Sequence, residues 1–538
     1  MKTDEQSVPG QKKNHFRPEI IILAMLALFA FSLFRVDPYV ASNLSITPDS
    51  EEYAIAASHI VSDHSYFITV DGKKLPPRYP PWFSLLFLAP GYLIFGNEIG
   101  NAIYPVTFLA ILGVLMAFLI GQRISGIWGG LLSGVALAVF PLYRAYAGEI
   151  MTEIPSSALV LAACWIYMRI ASSESSKRYL FLLAGITCGL CGAIRPVLMS
   201  TIIPFLLLCL THAQKEGRII KLANLSIPSA VLICATLAYN STVFGSPFRN
   251  GYNYWCAVPF DYSSLCFSTS YLALNCKALF LSPFSSLVSA GLLIYLLNKR
   301  FPQIAPTKPG NDSALRRLAE FTVVSSLPVM AVHLLYFFQT SRFYIPAMCL
   351  LVVIAVSMAG KWFENIPSTF AVVLLGVLTT AAVIMAFNAP PLKPSCRILV
   401  DQLADNTASN AIIISSIDPV YLEHFVKKST QRRIIPLSRN VEYASKVICP
   451  DRVDNPSPFP ASCFDHRCKG LLNGGAKEAV AITADEGIDM LTKELRKGIP
   501  VVLEASLVIT NDIRVISLLQ ERFSVISRGG CFYQLGLK

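Results

Sequence analysis

Three carboxylates stand close together in ITPDSEEYAIAASHI, residues 46–60: Asp49, Glu51 and Glu52. A second acidic pair, Glu149 and Glu153, lies in YAGEIMTEIPSS, just ahead of a proline that suits the first turn of a helix. Five arginines occupy segments of similar character: Arg78 before Tyr-Pro-Pro, Arg144, Arg195 in GAIRPV, Arg249 in GSPFRNGY and Arg342 in QTSRFYIP. Carboxylates accept protons, and guanidinium groups grip phosphate oxygens through a planar fork of donors. Gathered on one face, such residues suit the transfer of a sugar from a lipid phosphate. The cations would stabilise charge collecting on the leaving phosphate, while a carboxylate takes the proton of the attacking hydroxyl.

Each residue also has a plainer reading. Asp49 followed three residues later by Glu52 fits a helix capping box, with Glu51 as a solvated neighbour. A carboxylate held by backbone N–H groups is a weaker base than a free one. Glu149 and Glu153 fit the preference of acids for helix starts, and a single arginine at the end of an apolar run can snorkel to the interface. Cap and catalytic carboxylate therefore both remain open for Asp49 from this stretch alone.

The elements that must position these groups are membrane helices. The chain has 538 residues, of which 54% are hydrophobic and 15% charged, and its mean hydropathy of +0.53 lies far above soluble proteins. Apolar runs fall at about 19–35, 101–121, 126–143, 155–170, 179–194, 197–211, 222–244, 283–298, 319–338, 343–359 and 366–387. The basic N-terminus carries no small-residue cleavage signal after the first run, which reads as an uncleaved helix. One further run, YPPWFSLLFLAPGYLIFG at 79–96, decides the topology. If it does not span, Arg123, Arg169, Lys177, Arg178, Lys215, Arg218, Lys221, Lys299, Arg300, Arg316, Arg317 and Lys361 all fall in the cytoplasm with the N-terminus, as the positive-inside rule requires. Its short apolar core and internal Ala-Pro-Gly agree with an interfacial or re-entrant segment.

The expected architecture is a polytopic α-helical membrane protein of about eleven transmembrane helices. Residues 1–18 form a cytoplasmic N-terminus, 19–388 the membrane body with a first outer loop at 36–100, and 389–538 an extracytoplasmic α/β domain. Within the outer loop, Tyr53, Ala56, Ala57, Ile60 and Val61 make the stripe of a surface helix. All five arginines then share the outer face with Asp49 and Glu153. The net charge of +11 is that of basic inner loops and implies no nucleic acid.

Eight cysteines, at 256, 266, 276, 396, 449, 463, 468 and 531, are placed outside and form an even set able to pair. Cys188-x-x-Cys191 reads as helix packing, since no basic partner stands beside it. In the tail, AIIISSI, RRIIPLS and PVVLEA alternate with helical PVYLEHFVKK and DMLTKELRKG, and GGCFYQLGL suggests a closing hairpin. His466, between Cys463 and Cys468, reads as part of a stapled loop rather than a metal site.

In order and spacing, DSEEYAIAA (49–57), RYPPWFSLLFLAPGYLIFG (78–96), TEIPSSALVLAACWIYM (152–168), GAIRPV (192–197), FGSPFRNGY (244–252) and SRFYIP (341–346) together resemble the GT-C superfamily of polyprenyl-phosphate-sugar glycosyltransferases. That superfamily includes protein O-mannosyltransferases, lipid A aminoarabinose transferases and rhizobial-type lipopolysaccharide transferases. The likeness covers most of residues 19–360. It implies that Asp49 is the catalytic carboxylate, that Glu153 is a second acid, and that the lipid phosphate is held by Arg78 and Arg342, with Arg195 and Arg249 as further candidates. The family more often has Asp-Glu in the first loop and Asp before the proline, where this chain has Asp-Ser and Glu.

The resemblance implies an inverting transfer with no glycosyl-enzyme intermediate. The donor is a polyprenyl-phosphate sugar and the acceptor a hydroxyl of a glycolipid, polysaccharide, lipopolysaccharide or protein, with membrane lipid at the site. No cofactor is called for by these residues, and a divalent cation stays open. The expected location is a bacterial inner membrane with the site on its outer side. The alternatives are a transporter or flippase for a lipid-linked or polar solute, whose charges would line a path near the midplane, and a non-catalytic relative of the superfamily.

Overall fold

The computed structural model describes residues 18–34, 36–44, 48–70, 73–172, 178–211, 217–255, 260, 263–300, 311–338, 340–388, 395–415, 417, 419–426, 431–436, 484–504, 519, 521–529 and 532–538. Helices dominate from Pro18 to Asn406, and a mixed sheet closes the chain. The N-terminal stretch, Cys256, Cys449, Cys463, His466, Cys468, Cys531 and the side chain of Cys396 lie outside the described residues.

After α1 (Pro18–Phe34), the outer loop contributes α2 (Pro48–Asp63) and a small hairpin in which β1 (Ile68–Val70) pairs with β2 (Lys73–Leu75). A π-helical stretch, Ser84–Leu88, then runs into the helix Ala89–Phe95. Together they reach only about 18 Å at 1.5 Å per residue, short of a hydrocarbon core of about 30 Å. The length agrees with the non-spanning reading of 79–96.

The next element, α3 (Ile103–Val139), holds 37 residues, about 55 Å if it were straight. It is broken at Ser125 (φ −140°, ψ 33°) and Gly126 (φ 65°, ψ −160°), a backbone that glycine adopts without strain. Beyond the break the chain lies back on itself. A Cβ on Gly121 would stand 2.3 Å from the Gly129 carbonyl oxygen, and one on Gly130 2.8 Å from that of Phe118. The apolar runs at 101–121 and 126–143 are the two arms of this hairpin, and small residues let the arms touch backbone to backbone.

There follow α4 (Glu153–Ala171), α5 (Arg178–Ile194), α6 (Arg218–Phe244), α7 (Leu272–Leu281), α8 (Pro283–Arg300), α9 (Asn311–Leu335), α10 (Ile345–Gly360) and α11 (Ser368–Asn388). Among the described residues six helical stretches are long and apolar enough to cross a membrane, and a seventh arises if α7 and α8, bent by 59°, count as one span. Eleven were expected. The difference arises because α3 counts once and because Glu19–Phe34, Arg178–Ile194 and Pro196–Thr211 are apolar but short. The central helices α4 and α10 are mostly buried, whereas α6 and α11 turn Ile227, Val231, Phe370, Val373, Val377 and Met385 outward. Large apolar side chains on the outside are what lipid tails solvate.

The tail begins with α12 (Ser395–Asn406) and continues through β3 (Ile412–Ser415), α13 (Pro419–Val426), β4 (Arg433–Pro436), α14 (Ala484–Arg496), β5 (Val501–Glu504), β6 (Phe523–Gly529) and β7 (Phe532–Leu537). The strand order is β4-β3-β5-β7-β6, parallel through the first three and antiparallel after. β3, α13, β4, α14, β5 and β7 lie where the alternation in the sequence had placed them, whereas α12 and β6 had not been anticipated. The sheet unit docks on the outer loop: the Tyr421 hydroxyl donates to the Ser42 carbonyl at 2.7 Å, and the Tyr39 hydroxyl to Asp401 at 3.2 Å. These bonds join the tail to the loop ahead of α2, and the topology expected from the sequence puts both on one side of the membrane. Cysteines introduced at His64 and Asn406, in a background without reactive thiols, are expected to label together with an impermeant maleimide added to intact cells. Labelling of one site alone, or of both only after permeabilisation, contradicts this topology.

Candidate active site

Asp49 lies in the first turn of α2, where the helix leaves backbone N–H groups without intrahelical partners. Its Oδ2 accepts a hydrogen bond from Arg342 Nη2 at 2.8 Å, and its Oδ1 accepts one from the Tyr79 hydroxyl. Arg342 belongs to a 3-10 turn, Ser341–Tyr344, capped by the Thr340 side chain, which accepts from Arg342 N at 3.4 Å. The same guanidinium reaches on to Glu153, with Nε 3.6 Å from Oε1. Glu153 opens α4, where Pro155 is tolerated because first-turn N–H groups have no helical partner. Arg195 Nη1 approaches the same Oε1 at 3.3 Å. Because Pro196 follows, Arg195 is held extended (φ −139°, ψ 102°), which ends α5 at Ile194.

Four charges thus alternate, Asp49, Arg342, Glu153 and Arg195, and sum to zero in a half-buried place. Side-chain exposure is 18% at Asp49 and 14% at Arg342, and only 3% at Glu153. Both guanidinium groups also lie over the Phe343 ring, each 5.6 Å from its centroid. Glu153 Oε2 is buried with no hydrogen-bond partner among the described residues. In a low-dielectric site such an oxygen is costly, so it marks a place where a donor is wanted.

A second pair holds the first in place. Arg78 was expected at the phosphate, yet it is 6% exposed and is gripped by Glu52, Nε to Oε1 at 2.7 Å and backbone N to Oε2 at 2.6 Å. Glu52 is therefore a clamp on residues 78 and 79 rather than a capping partner, and Asp49 stands inside the helix rather than at its cap. Glu51, expected to be solvated, is 1% exposed. The clamp brings Tyr79 to Asp49, and burial together with the Asp49 charge pushes the Tyr79 phenol up, so it stays a donor. Tyr79 packs against Tyr53 at 4.4 Å and edge-on to Tyr252 at 5.5 Å. Gly251 is required here, since a Cβ would stand 2.4 Å from the Arg78 carbonyl oxygen.

A family model described as dolichyl-phosphate-mannose-protein mannosyltransferase matches residues 78–241. Among solved structures, the chain is similar to the crystal structure of ArnT from Cupriavidus metallidurans bound to undecaprenyl phosphate. The TM-score is 0.54 at 11% identity, over 96% of this chain and 97% of that one. The chain has the GT-C fold. It is also similar to the oligosaccharyltransferase AglB from Archaeoglobus fulgidus in complex with an inhibitory peptide and a dolichol-phosphate, with a TM-score of 0.48 at 12% identity over 96% of this chain and 74% of that one. No curated protein sequence matches the chain.

Within this GT-C fold, the family match includes Arg78, Glu153 and Arg195 and leaves Asp49 and Arg342 outside. Of the arginines expected together, Arg195 and Arg342 join the acids. Arg249 instead lies exposed, in the turn after Gly245 (φ 78°) ends α6, and Arg144 is exposed in the helix Pro141–Ala147. Tyr79 was not anticipated as a site residue, and its only sequence signal is its place between Arg78 and the proline pair. Among the described residues no three His, Cys, Asp or Glu side chains gather as a metal set. The cation between Asp49 and Glu153 is the Arg342 guanidinium.

Glu149 stands beside this network, and burial, reinforced by Glu153 and opposed by Arg342, raises its carboxyl from 4.5 to about 7. A carboxyl raised on folding favours the folded state at low pH. That contribution is complete below 4.5 and is lost as pH climbs through about 7. Relative to Glu149→Gln, the wild-type protein is expected to lose apparent melting temperature between pH 5 and 8. A difference that stays flat across that range contradicts the shift. Arg342→Ala strips the shared cation from two carboxylates and is expected to destabilise by roughly 3 kcal/mol, with Arg342→Lys recovering part of the loss. Thermal unfolding in detergent reads both, and an Arg342→Ala protein as stable as wild type removes the keystone role.

Proposed function

We propose that the chain is a glycosyltransferase that moves a sugar from a polyprenyl-phosphate carrier to a hydroxyl acceptor on the outer face of the membrane, with inversion. The observation that carries this reading is the Asp49 carboxylate held by Tyr79 and Arg342 beside Arg195, a proton acceptor and two cations in one half-buried spot. The fold shared with a protein bound to undecaprenyl phosphate, and the family match to a lipid-phosphate-mannose transferase, support the carrier.

The chemistry follows from the pairing. The donor is a phosphodiester with one negative charge, and its approach draws guanidinium donors toward phosphate oxygens. As Arg342 turns to the phosphate, Asp49 Oδ2 is released, while Tyr79 keeps Oδ1 in position. The acceptor hydroxyl attacks the anomeric carbon from the face opposite the phosphate, and its proton passes to Asp49. The bond between the anomeric carbon and the phosphate oxygen breaks, and its electron pair stays on the oxygen. The leaving phosphate gains a second negative charge, which Arg342 and Arg195 stabilise more strongly than they did the donor. Glu153 holds both arginines, and Glu149, raised to about 7, adds a third negative charge only as pH climbs through that value.

Charges at the starts of helices, not along a midplane path, favour the enzyme over a transporter. Asp49→Asn keeps the shape of the side chain, leaves one amide oxygen to accept from Tyr79 or Arg342, and removes the proton acceptor. In cells lacking the wild-type copy, this variant is expected to lose at least one glycosylated lipid, polysaccharide or protein species, with a turnover loss of about 10²–10⁴-fold. A glycolipid and glycoprotein profile identical to that of active wild-type cells would overturn the assignment.

A further inference from the structure

At the end of the bundle away from Asp49, arginines from three helices converge. Arg123 lies two residues before the break in α3, Arg169 in the last turn of α4 and Arg317 in the second turn of α9, and the three helices pack against one another. Arg169 stands about 24 Å along α4 from Glu153 at 1.5 Å per residue, so the cluster and the Asp49 site lie near opposite edges of a hydrocarbon core of about 30 Å. Arg317 Nη1 donates to Ser172 Oγ, at the cap that ends α4, which ties α9 to the turn carrying Arg169. The charges of Arg169 and Arg317 both repel that of Arg123.

Elsewhere the chain matches its enclosed guanidinium groups with carboxylates: Arg78 with Glu52, Arg195 with Glu153, Arg342 with Asp49. Among the described residues, Arg123, Arg169 and Arg317 have no such partner, and the nearest acid along α9, Glu320, is taken by Arg316 at 2.8 Å. Arg123 and Arg317 are half-buried, and like charges at the margin of a low-dielectric bundle carry a cost that an anion between them offsets. The general preference for basic residues on the inner side of a membrane asks only for their presence, not for their convergence from separate helices. Apolar surface adjoins the cluster. Arg169 lies over the Trp165 ring at 5.5 Å, and tryptophan favours the depth of lipid headgroups. Farther along α9, Val323 and Leu327 are 54% and 58% exposed.

We infer that Arg123, Arg169 and Arg317 form a binding site for the phosphate of an anionic phospholipid, at the end of the bundle that the distribution of basic residues assigns to the cytoplasm. Guanidinium forks from three helices meet one phosphate, and the acyl chains run along Val323 and Leu327. A zwitterionic lipid offers the same phosphate but carries its own ammonium into a cluster of cations, so it binds less well. The bound lipid holds together one end of α4 and α9, whose other ends present Glu153 and lead to Arg342. This site is separate from Asp49 and stands whatever reaction occurs there.

Native mass spectrometry of the full-length protein, released from detergent micelles holding equal amounts of phosphatidylglycerol and phosphatidylcholine, tests this. The wild-type protein is expected to retain phosphatidylglycerol over phosphatidylcholine by about fivefold or more. The double variant Arg123→Gln/Arg317→Gln is expected to lose that preference, and Arg316→Gln, whose exposed cation is already paired with Glu320, to keep it. Arg169→Gln changes an exposed side chain and leaves the fold in place, and it is expected to lower the preference by about half or more; gel filtration verifies that each variant is folded. No preference in the wild-type protein, a preference untouched by the cluster substitutions, or one lost equally in Arg316→Gln overturns the inference. Thermal unfolding in detergent supplies the arm for a soluble ligand. Phosphatidylglycerol is expected to raise the melting temperature of the wild-type protein more than that of Arg169→Gln, as ligand binding to the folded state requires. An equal rise with inorganic phosphate alone, lost in the same variant, overturns the lipid assignment.

Discussion

The Arg342 guanidinium between Asp49 and Glu153 is the constraint on which the rest of the site depends. It joins three elements far apart in the chain: the start of α2, the start of α4 and the 3-10 turn ahead of α10. Two carboxylates this close to lipid repel each other strongly in a low dielectric, and a shared cation turns that repulsion into a bridge. The bridge is also exchangeable. A phosphate can compete for the same planar fork, so under the proposed function the contact that organises the resting site is the one the donor takes over.

Around that bridge the supporting parts are stiff. Glu52 takes both the side chain and the backbone N–H of Arg78, which leaves Tyr79 little freedom in where its hydroxyl points. Gly251 allows the chain after α6 to press on Arg78, and Tyr53 and Tyr252 close on the Tyr79 ring. The proposed transfer needs its proton acceptor held within a fraction of an ångström, and the buried Glu52–Arg78 pair behind Tyr79 is placed to give that precision.

The sequence made much of this legible where the signal was local. Apolar runs located the helices, alternation located the strands of the tail, and Asp49, Glu153, Arg195 and Arg342 stood out as charges at the ends of membrane runs. What stayed hidden depended on partners distant along the chain. The Glu52–Arg78 clamp joins residues 26 apart, so Arg78 looked like a ligand for phosphate and Glu52 like a cap. Glu51 looked solvated because helix starts usually face water, but this one is covered by protein. The span count departed because hydropathy measures each run alone, whereas the two runs that meet at Gly126 form one helical stretch and three other apolar helices are short.

The docking of α13 on α2 bears on how the tail and the membrane body evolve together. The Tyr421 hydroxyl is bonded to the carbonyl of Ser42, a few residues before the helix that carries Asp49. The tail thereby acts as a splint on the loop that leads into α2. A change at Tyr421 or at Ser42 therefore bears on both parts, whereas β6 lies at the far edge of the sheet.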